Sequence, residues 1–176
     1  MDRPSPLATL PHLPSFPVTI DDAPGGVLGA AHFSGMFGIP GGEDRSPAIS
    51  WDGAPADAQS YAVTIFDADA PTGAGFWHWA VYDIPAGTTS LEAGAGAPAS
   101  TNLPAGAKQL PNDARAPHYV GAAPRPGSGP HRYFVVVHAL SVPTLSIPVE
   151  ATPTFLTFAL GDVAIARGVA VVEAEL

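Results

Sequence analysis

The sequence predicts a mainly β fold in a single domain, and three observations support this prediction. Gly and Pro together make up nearly one in four of the 176 residues, and a proline inside a helix costs about 3 kcal/mol, so long helices are disfavoured. Hydrophobic residues still make up 46% of the chain, whereas disordered chains are poor in them. Three long segments are rich in β-branched and aromatic residues, as strands are.

The N-terminal part of the chain is expected to begin as an arm. Residues 1–15 contain four prolines and are predicted to lack regular structure, while residues 16–176 form the domain. Residues 16–20 are a short strand candidate, and the Asp-Asp-Ala-Pro-Gly-Gly sequence that follows predicts a turn. Residues 27–45 contain five glycines and no clean hydrophobic period, so they are predicted to be loop with room for one short strand.

The three strong strand predictions are residues 61–67, 76–84 and 131–140. Each segment is apolar on both faces over much of its length, which is typical of central strands that are covered on both sides. Residues 86–130 are predicted to be mostly loop. A loop of that length inside a domain is usually functional or wraps closely on the body.

One helix is predicted near the C-terminus. Thr152 is a suitable N-cap, and Pro153 suits the first helical position. Apolar residues then continue at helical spacing as far as Ala166. Arg167 in the last turn and Gly168 directly after it form a helix stop signal. Residues 169–172 are predicted to be a closing strand.

Composition excludes several classes of protein. The absence of cysteine rules out disulfides and thiolate metal sites. Seven Lys and Arg residues against 16 Asp and Glu give a net charge of −9, which argues against nucleic-acid binding and against a polybasic membrane patch. No apolar run is long enough for a membrane span, and residues 1–15 lack an apolar signal-peptide segment. We therefore expect a cytoplasmic protein that needs no metal or cofactor.

Common catalytic signatures are also missing. The sequence contains no G-x-S-x-G nucleophile elbow, no G-x-x-x-x-G-K-[ST] phosphate loop and no H-E-x-x-H zinc motif. What remains is a polar set at strand ends. If the three strong strands are neighbours, Asp67, His78 and His131 meet at one end of a sheet.

An Asp beside a His fixes the tautomer of the ring and raises its pKa, and two such histidines offer donors to an anion. Backbone N–H groups of residues 119–130 and the Arg132 side chain are further candidate donors. The period-2 pattern places His78 on one strand face with Phe76, Ala80 and Tyr82.

Structural roles are the alternative interpretation of the same residues. A histidine beside a tryptophan in a strand is more often a satisfied core residue. Asp67 and Asp69 precede Pro71 and suit turn capping. His138 lies seven residues after His131 and so faces the other side of its strand, which suggests a structural role.

Four segments in order resemble one family. They are Ser46-Pro-Ala-Ile-Ser-Trp51, Asp67-Ala-Asp-Ala-Pro71, Phe76-Trp-His-Trp79 with Ile84-Pro85, and Gly129-Pro-His-Arg-Tyr133. Together they resemble the phosphatidylethanolamine-binding protein (PEBP) family, and most closely its bacterial branch of Raf-kinase-inhibitor-like (YbhB/YbcL-type) proteins. The resemblance covers roughly residues 16–172. The chain departs from the family at Ala68, where a proline is usual, and at residues 121–126, where two alanines and Arg125 alter the pocket rim.

The resemblance implies a large central antiparallel sheet, a smaller second sheet and one or two C-terminal helices. It also implies a small pocket for phosphate-bearing ligands, such as a phospholipid headgroup, a nucleotide or a phosphorylated protein. The residues implied to bind the ligand are Asp67, His78, His131, Tyr133, Ala123 and Pro124. Those implied to shape the pocket are Asp69, Pro71, Trp79, Gly121 and Arg132, with a cis bond allowed before Pro71.

The leading functional hypothesis is a non-enzymatic protein that binds a phosphate-bearing ligand, and the resemblance allows regulation of kinase signalling as a further role. One alternative is a protease or kinase inhibitor that acts by surface contact. The other is a weak hydrolase that uses the Asp/His pocket for general acid–base chemistry, although the set contains no clear nucleophile. The resemblance also implies a homodimer.

Overall fold

Two antiparallel sheets form the framework of the structure, which is a computed structural model that describes residues 4–176. The smaller sheet has the order β1-β2-β5 and contains β1 (Val18–Ile20), β2 (Ile49–Trp51) and β5 (Ser90–Leu91). The larger sheet has the order β6-β4-β3-β7-β8 and contains β3 (Ser60–Asp67), β4 (Phe76–Pro85), β6 (Lys108–Gln109), β7 (His131–Leu140) and β8 (Ala164–Ala174). The predicted mainly β architecture with a large and a small antiparallel sheet is therefore confirmed.

The three strong strand predictions are adjacent, with β3 between β4 and β7. Seven of the eight β3 residues are buried, because apolar clusters cover the sheet on both faces. The first cluster includes Val63 and Ile65, and the second includes Ala62. Full burial of one such Val or Ile side chain contributes about 1.5–3 kcal/mol. This burial holds β3 at the centre and fixes where its last residue, Asp67, lies.

A β-bulge in β4 changes the direction of His78. Ile65 pairs with Trp79 and the next β3 residue pairs with Trp77, so His78 is an extra residue in the ladder. Ala80 and Tyr82 pack in the second cluster. The expectation that His78 shares their strand face is therefore wrong, because the extra residue resets the alternation.

The C-terminal helix is shorter than predicted. Helix α1 (Pro153–Ala159) begins where expected, and the Thr152 Oγ1 accepts a hydrogen bond of 3.1 Å from the Phe155 N–H. It ends in a 3₁₀ turn at Leu160–Asp162, and Arg167 and Gly168 lie inside β8. A Cβ on Gly168 would lie 2.8 Å from the Phe16 carbonyl oxygen, so this glycine permits close packing of strands rather than ending a helix. Residues 169–172 belong to that longer strand.

The predicted loops have little regular structure and pack closely. Residues 86–130 contain only β5 and β6, and Tyr119 and Val120 in this stretch are fully buried. Residues 27–45 contain a 3₁₀ turn at Ala30–His32 and no strand, and another 3₁₀ turn lies at Pro24–Gly26. Among residues 4–176, no helix combines the length and apolar composition that crossing a membrane requires.

The N-terminal arm packs on the second face of the large sheet. Residues 4–15 form turns without a helix or an extended strand, and residues 1–3 of the expected arm lie outside the described residues. The Pro14 carbonyl accepts a 2.9 Å hydrogen bond from the Arg167 N–H. Leu7 and Leu10 share a small cavity with Trp77 and other side chains of the sheet.

His138 is buried beneath this arm and is held as a neutral ring. Its Nε2 accepts a 3.0 Å hydrogen bond from the Arg167 Nε, so the ring proton is on Nδ1. Burial, assisted by the nearby Arg167 charge, lowers the pKa of His138 to about 3. As predicted, this histidine lies on the opposite face from His131.

We expect His138 to make the protein sensitive to acid. Between pH 6.5 and about 3, the unfolded chain carries a proton on His138 that the native state lacks. The free energy of unfolding therefore falls as pH falls through this window, by at most about 1.4 kcal/mol per pH unit from this group. In the variant His138→Gln, whose amide oxygen can still accept from Arg167, the decline measured by urea unfolding at pH 6, 5 and 4 becomes shallower. An equally steep decline in the variant contradicts the assignment.

Candidate functional site

A cleft of about 370 Å³ opens at one end of the large sheet. Asp67 at the end of β3 pairs with Phe76 at the start of β4 and with Tyr133 near the start of β7. Three strand ends therefore meet at the cleft. Asp67, His78 and His131 all line it, and all three are buried to at least 95%.

Asp67 and His131 form a hydrogen-bonded pair. The His131 Nδ1 lies 2.8 Å from the Asp67 Oδ2, and the Asp67 Oδ1 accepts a 2.8 Å hydrogen bond from the Asp69 N–H. Because a carboxylate only accepts, the proton on this side of the ring is on Nδ1. The Nε2 atom of His131 is directed to the Ser128 Oγ, at 3.1 Å.

His78 is fixed by a backbone carbonyl instead of a carboxylate. Its Nδ1 donates to the Val120 carbonyl at 2.7 Å, so a neutral ring carries its lone pair on Nε2. Burial lowers the pKa of His78, and this effect exceeds the opposing effects of the Val120 carbonyl and Asp67. The sequence-based idea that a raised pKa strengthens anion binding at low pH therefore does not hold for His78.

Arg132 is turned toward the adjacent turn. Its guanidinium makes two hydrogen bonds with Asp69, from Nε at 2.8 Å and from Nη2 at 2.9 Å, and Asp69 raises its pKa. The pair fixes the turn that brings Pro71 to the cleft. Every peptide bond among residues 4–176 is trans, so the expected cis bond before Pro71 is wrong.

Two further residues predicted for the site, Tyr133 and Trp79, are buried in the core. Tyr133 is buried, its ring centre lies 5.2 Å from that of His78, and burial followed by the Asp67 charge raises its pKa. Trp79 is fully buried in the first cluster, where its Nε1 donates to the Gln109 Oε1 at 2.6 Å. Neither residue lines the cleft.

Gly121 positions the loop that forms one wall of the cleft. Its N–H donates to the Asp44 Oδ1 at 2.8 Å, and an added Cβ would lie 2.3 Å from the Phe33 carbonyl carbon. This close approach of two backbones directs Ala123 and Pro124 to the cleft. Arg125 follows them on the rim, is exposed, and forms no ion pair within residues 4–176.

Sequence reasoning missed several residues of this site. Phe37 and Ile39 form an apolar wall, and they come from a glycine-rich loop in which no period marks a buried position. Ser128 does not line the cleft, but it lies directly outside it, beside the His131 Nε2. Its position between two glycines and three residues before a histidine is a signal that was available in the sequence.

Comparison with known proteins finds relatives that share the sequence and the fold of this chain. Residues 19–174 match the family model described as phosphatidylethanolamine-binding protein. The UPF0098 protein YbcL of Escherichia coli K12 is 44% identical over 124 residues, which is 70% of this chain and 66% of that protein. The UPF0098 protein YbhB of the same organism is 39% identical over 117 residues, covering 66% and 73% of the two chains.

Solved structures give the same result. The crystal structure of E. coli YbcL, described as a member of the mammalian PEBP family, has a TM-score of 0.86 at 36% identity and covers 92% of this chain and 98% of that one. A homologue from Chlamydia trachomatis shares the fold at 23% identity, with a TM-score of 0.76 and coverage of 92% and 98%. These findings confirm the resemblance drawn from the four sequence segments.

We expect the ring of His78 to be neutral at pH 7 with its proton on Nδ1. The reason is burial, which lowers its pKa below the ordinary value of 6.5, together with the carbonyl acceptor at Nδ1. Long-range ¹H–¹⁵N correlation spectra between pH 8 and 5.5 measure both properties. A ring that titrates above pH 6.5, or that carries its proton on Nε2, contradicts the arrangement.

The variant Gly121→Ala tests the backbone contact behind the cleft. The added methyl group collides with the Phe33 and Ser34 backbone, so we expect a loss of about 1–3 kcal/mol in the free energy of unfolding. Gly29→Ala is the matched control, because a Cβ there meets nothing within 4 Å. Equal urea midpoints for the two variants rule out a steric role of Gly121.

Proposed function

The chain belongs to the phosphatidylethanolamine-binding protein family, and from that premise we propose that its cleft binds a small ligand carrying a phosphate or similar anionic group. The observation that supports the proposal is the convergence of Asp67, His78 and His131 on one cleft. Each side chain is held by a protein partner before any ligand arrives. Binding therefore requires little reordering of side chains, which favours affinity.

The donor and acceptor pattern of the cleft favours a phosphate that retains a proton. The Nε2 of neutral His78 accepts a hydrogen bond, and the Asp67 carboxylate can only accept. A fully deprotonated anion has no hydrogen to offer these groups, whereas a monoprotonated phosphate has one. A hydroxyl or ammonium group on the same ligand satisfies them equally well.

Arg125 is the group that complements the negative charge of the ligand. It lies on the cleft rim and has no ion-pair partner among the described residues. Since the chain has a net charge of −9, long-range attraction of anions is absent, and binding depends on short contacts. A guanidinium can bind two phosphate oxygens at once.

The shape of the cleft limits the size of the ligand. A volume of about 370 Å³ is at the lower end of the range for small-molecule pockets. Phe37, Ile39 and Phe76 provide apolar surface beside the polar groups. We therefore propose a headgroup-sized ligand, with the phosphate at the polar end and a small organic substituent along the apolar wall.

An NMR titration with inorganic phosphate and with phosphorylethanolamine tests this proposal. We expect saturable shifts of the His78 and His131 ring signals, with tighter binding of phosphorylethanolamine because it adds ammonium donors. A nucleoside monophosphate and a phosphoserine peptide, titrated in parallel, separate the nucleotide and protein sources of the same group. If the His78 and His131 signals do not move at a ligand concentration 20-fold above a Kd of about 1 mM, the proposal is overturned.

The variant Arg125→Gln isolates the contribution of the rim charge. A charge-assisted hydrogen bond contributes about 1.5–3 kcal/mol, and solvent screening of this exposed side chain reduces its effect, so we expect phosphate affinity to fall by about 3- to 10-fold. Arg115→Gln is the matched control, because it removes the same charge from another exposed arginine that does not line the cleft. Equal losses in the two variants indicate an effect of net charge alone.

A further inference from the structure

Ser128, His131 and Asp67 form a continuous hydrogen-bonded chain at the edge of the cleft. The Ser128 Oγ lies 3.1 Å from the His131 Nε2, and the His131 Nδ1 lies 2.8 Å from the Asp67 Oδ2. These are the distances and the order of a nucleophile, a general base and the group that orients the base. We propose that this chain is an acyl-transfer site, in which Ser128 attacks the carbonyl carbon of a small ester.

Burial differs along the chain in the way this chemistry requires. Asp67 is 3% exposed and His131 is 4% exposed, whereas Ser128 is exposed on the loop. A substrate can therefore reach the nucleophile while the base and its orienting carboxylate stay shielded from water. Asp67 is itself fixed, since its second oxygen accepts from the Asp69 N–H.

The tautomer of His131 suits a general base. Because the His131 Nδ1–H donates to Asp67, the lone pair of the neutral ring is on Nε2, opposite the Ser128 hydroxyl. That hydroxyl has a competing acceptor, the Arg125 carbonyl, at 2.7 Å. The Arg125 carbonyl also accepts a hydrogen bond of 3.0 Å from the Ser128 N–H. This carbonyl therefore keeps one hydrogen bond when the Ser128 hydroxyl rotates to donate to His131.

Two donors are available for the negative charge that develops on the carbonyl oxygen. The N–H of Gly129, the residue after Ser128, makes no hydrogen bond among residues 4–176, and this is a position that serine hydrolases use for their oxyanion hole. Arg125 lines the depression that also contains Ser128 and His131. Its positive charge favours esters that carry an anionic group near the carbonyl.

The proposed reaction needs only the ester and water. The Ser128 Oγ forms a bond to the carbonyl carbon as its proton moves to the His131 Nε2. The bond to the leaving alkoxide then breaks, and the alkoxide takes that proton and departs as the alcohol. Water attacks the acyl-serine in the same manner, releases a carboxylic acid and restores the Ser128 hydroxyl.

The experiment uses p-nitrophenyl acetate as the ester and a fluorophosphonate as the trapping reagent. We expect a burst of nitrophenol close to one equivalent per chain, and a single covalent adduct that peptide mass spectrometry locates on Ser128. Ser128→Ala lowers the acylation rate by about 100-fold or more. Ser141→Ala is the matched control, because that serine is also exposed and its hydroxyl bonds only to the Val163 carbonyl.

The outcomes separate this inference from the binding proposal. Ser128 does not line the main cleft, so Ser128→Ala retains the phosphate-induced shifts of His78 and His131 if that proposal holds. Acylation equal in wild type and Ser128→Ala, or an adduct on another residue, overturns the acyl-transfer site and leaves phosphate binding intact. An Asp67→Asn variant that folds by circular dichroism and acylates at the wild-type rate also overturns it, since the base then needs no orienting group.

Discussion

The hydrogen bond between Asp67 and His131 is the contact on which the candidate site depends. It joins the last residue of β3 to the first residue of β7, so it closes the sheet at the end where the cleft opens. Removal of the His131 donor leaves the buried Asp67 carboxylate short of a hydrogen bond, at a cost of about 1.5–3 kcal/mol. Burial of β3 on both faces places Asp67 at this position, so the packing of the core determines the geometry of the candidate site.

The bulge at His78 is the second constraint, and it explains why three polar side chains share one cleft. A regular strand alternates its faces, which would leave His78 on the face occupied by Ala80 and Tyr82. The extra residue directs His78 to the cleft, where the Val120 carbonyl fixes its ring. Bulges are common beside functional sites because they re-aim one side chain without disturbing the core.

Sequence reasoning predicted the parts of the fold that depend on local pattern. The central strands and the start of α1 at Thr152 follow from apolar runs and capping chemistry, whereas the antiparallel arrangement was implied by the family resemblance. The predicted end of that helix was wrong because a glycine is needed at position 168 for close packing against Phe16, which is far away in the sequence. Phe37, Ser128 and the partner of Arg132 were missed for the same reason, since each is defined by residues far along the chain or by loop geometry that has no period.

His131 takes part in both proposed activities through its Nε2 atom, which either carries a proton or has a free lone pair. A protonated ring donates from Nε2 to Ser128 or to an anion, and it cannot then accept the serine proton. A neutral ring accepts that proton and offers an anion no N–H donor at Nε2. Anion binding that uses this atom and ester attack therefore exclude each other at a given moment.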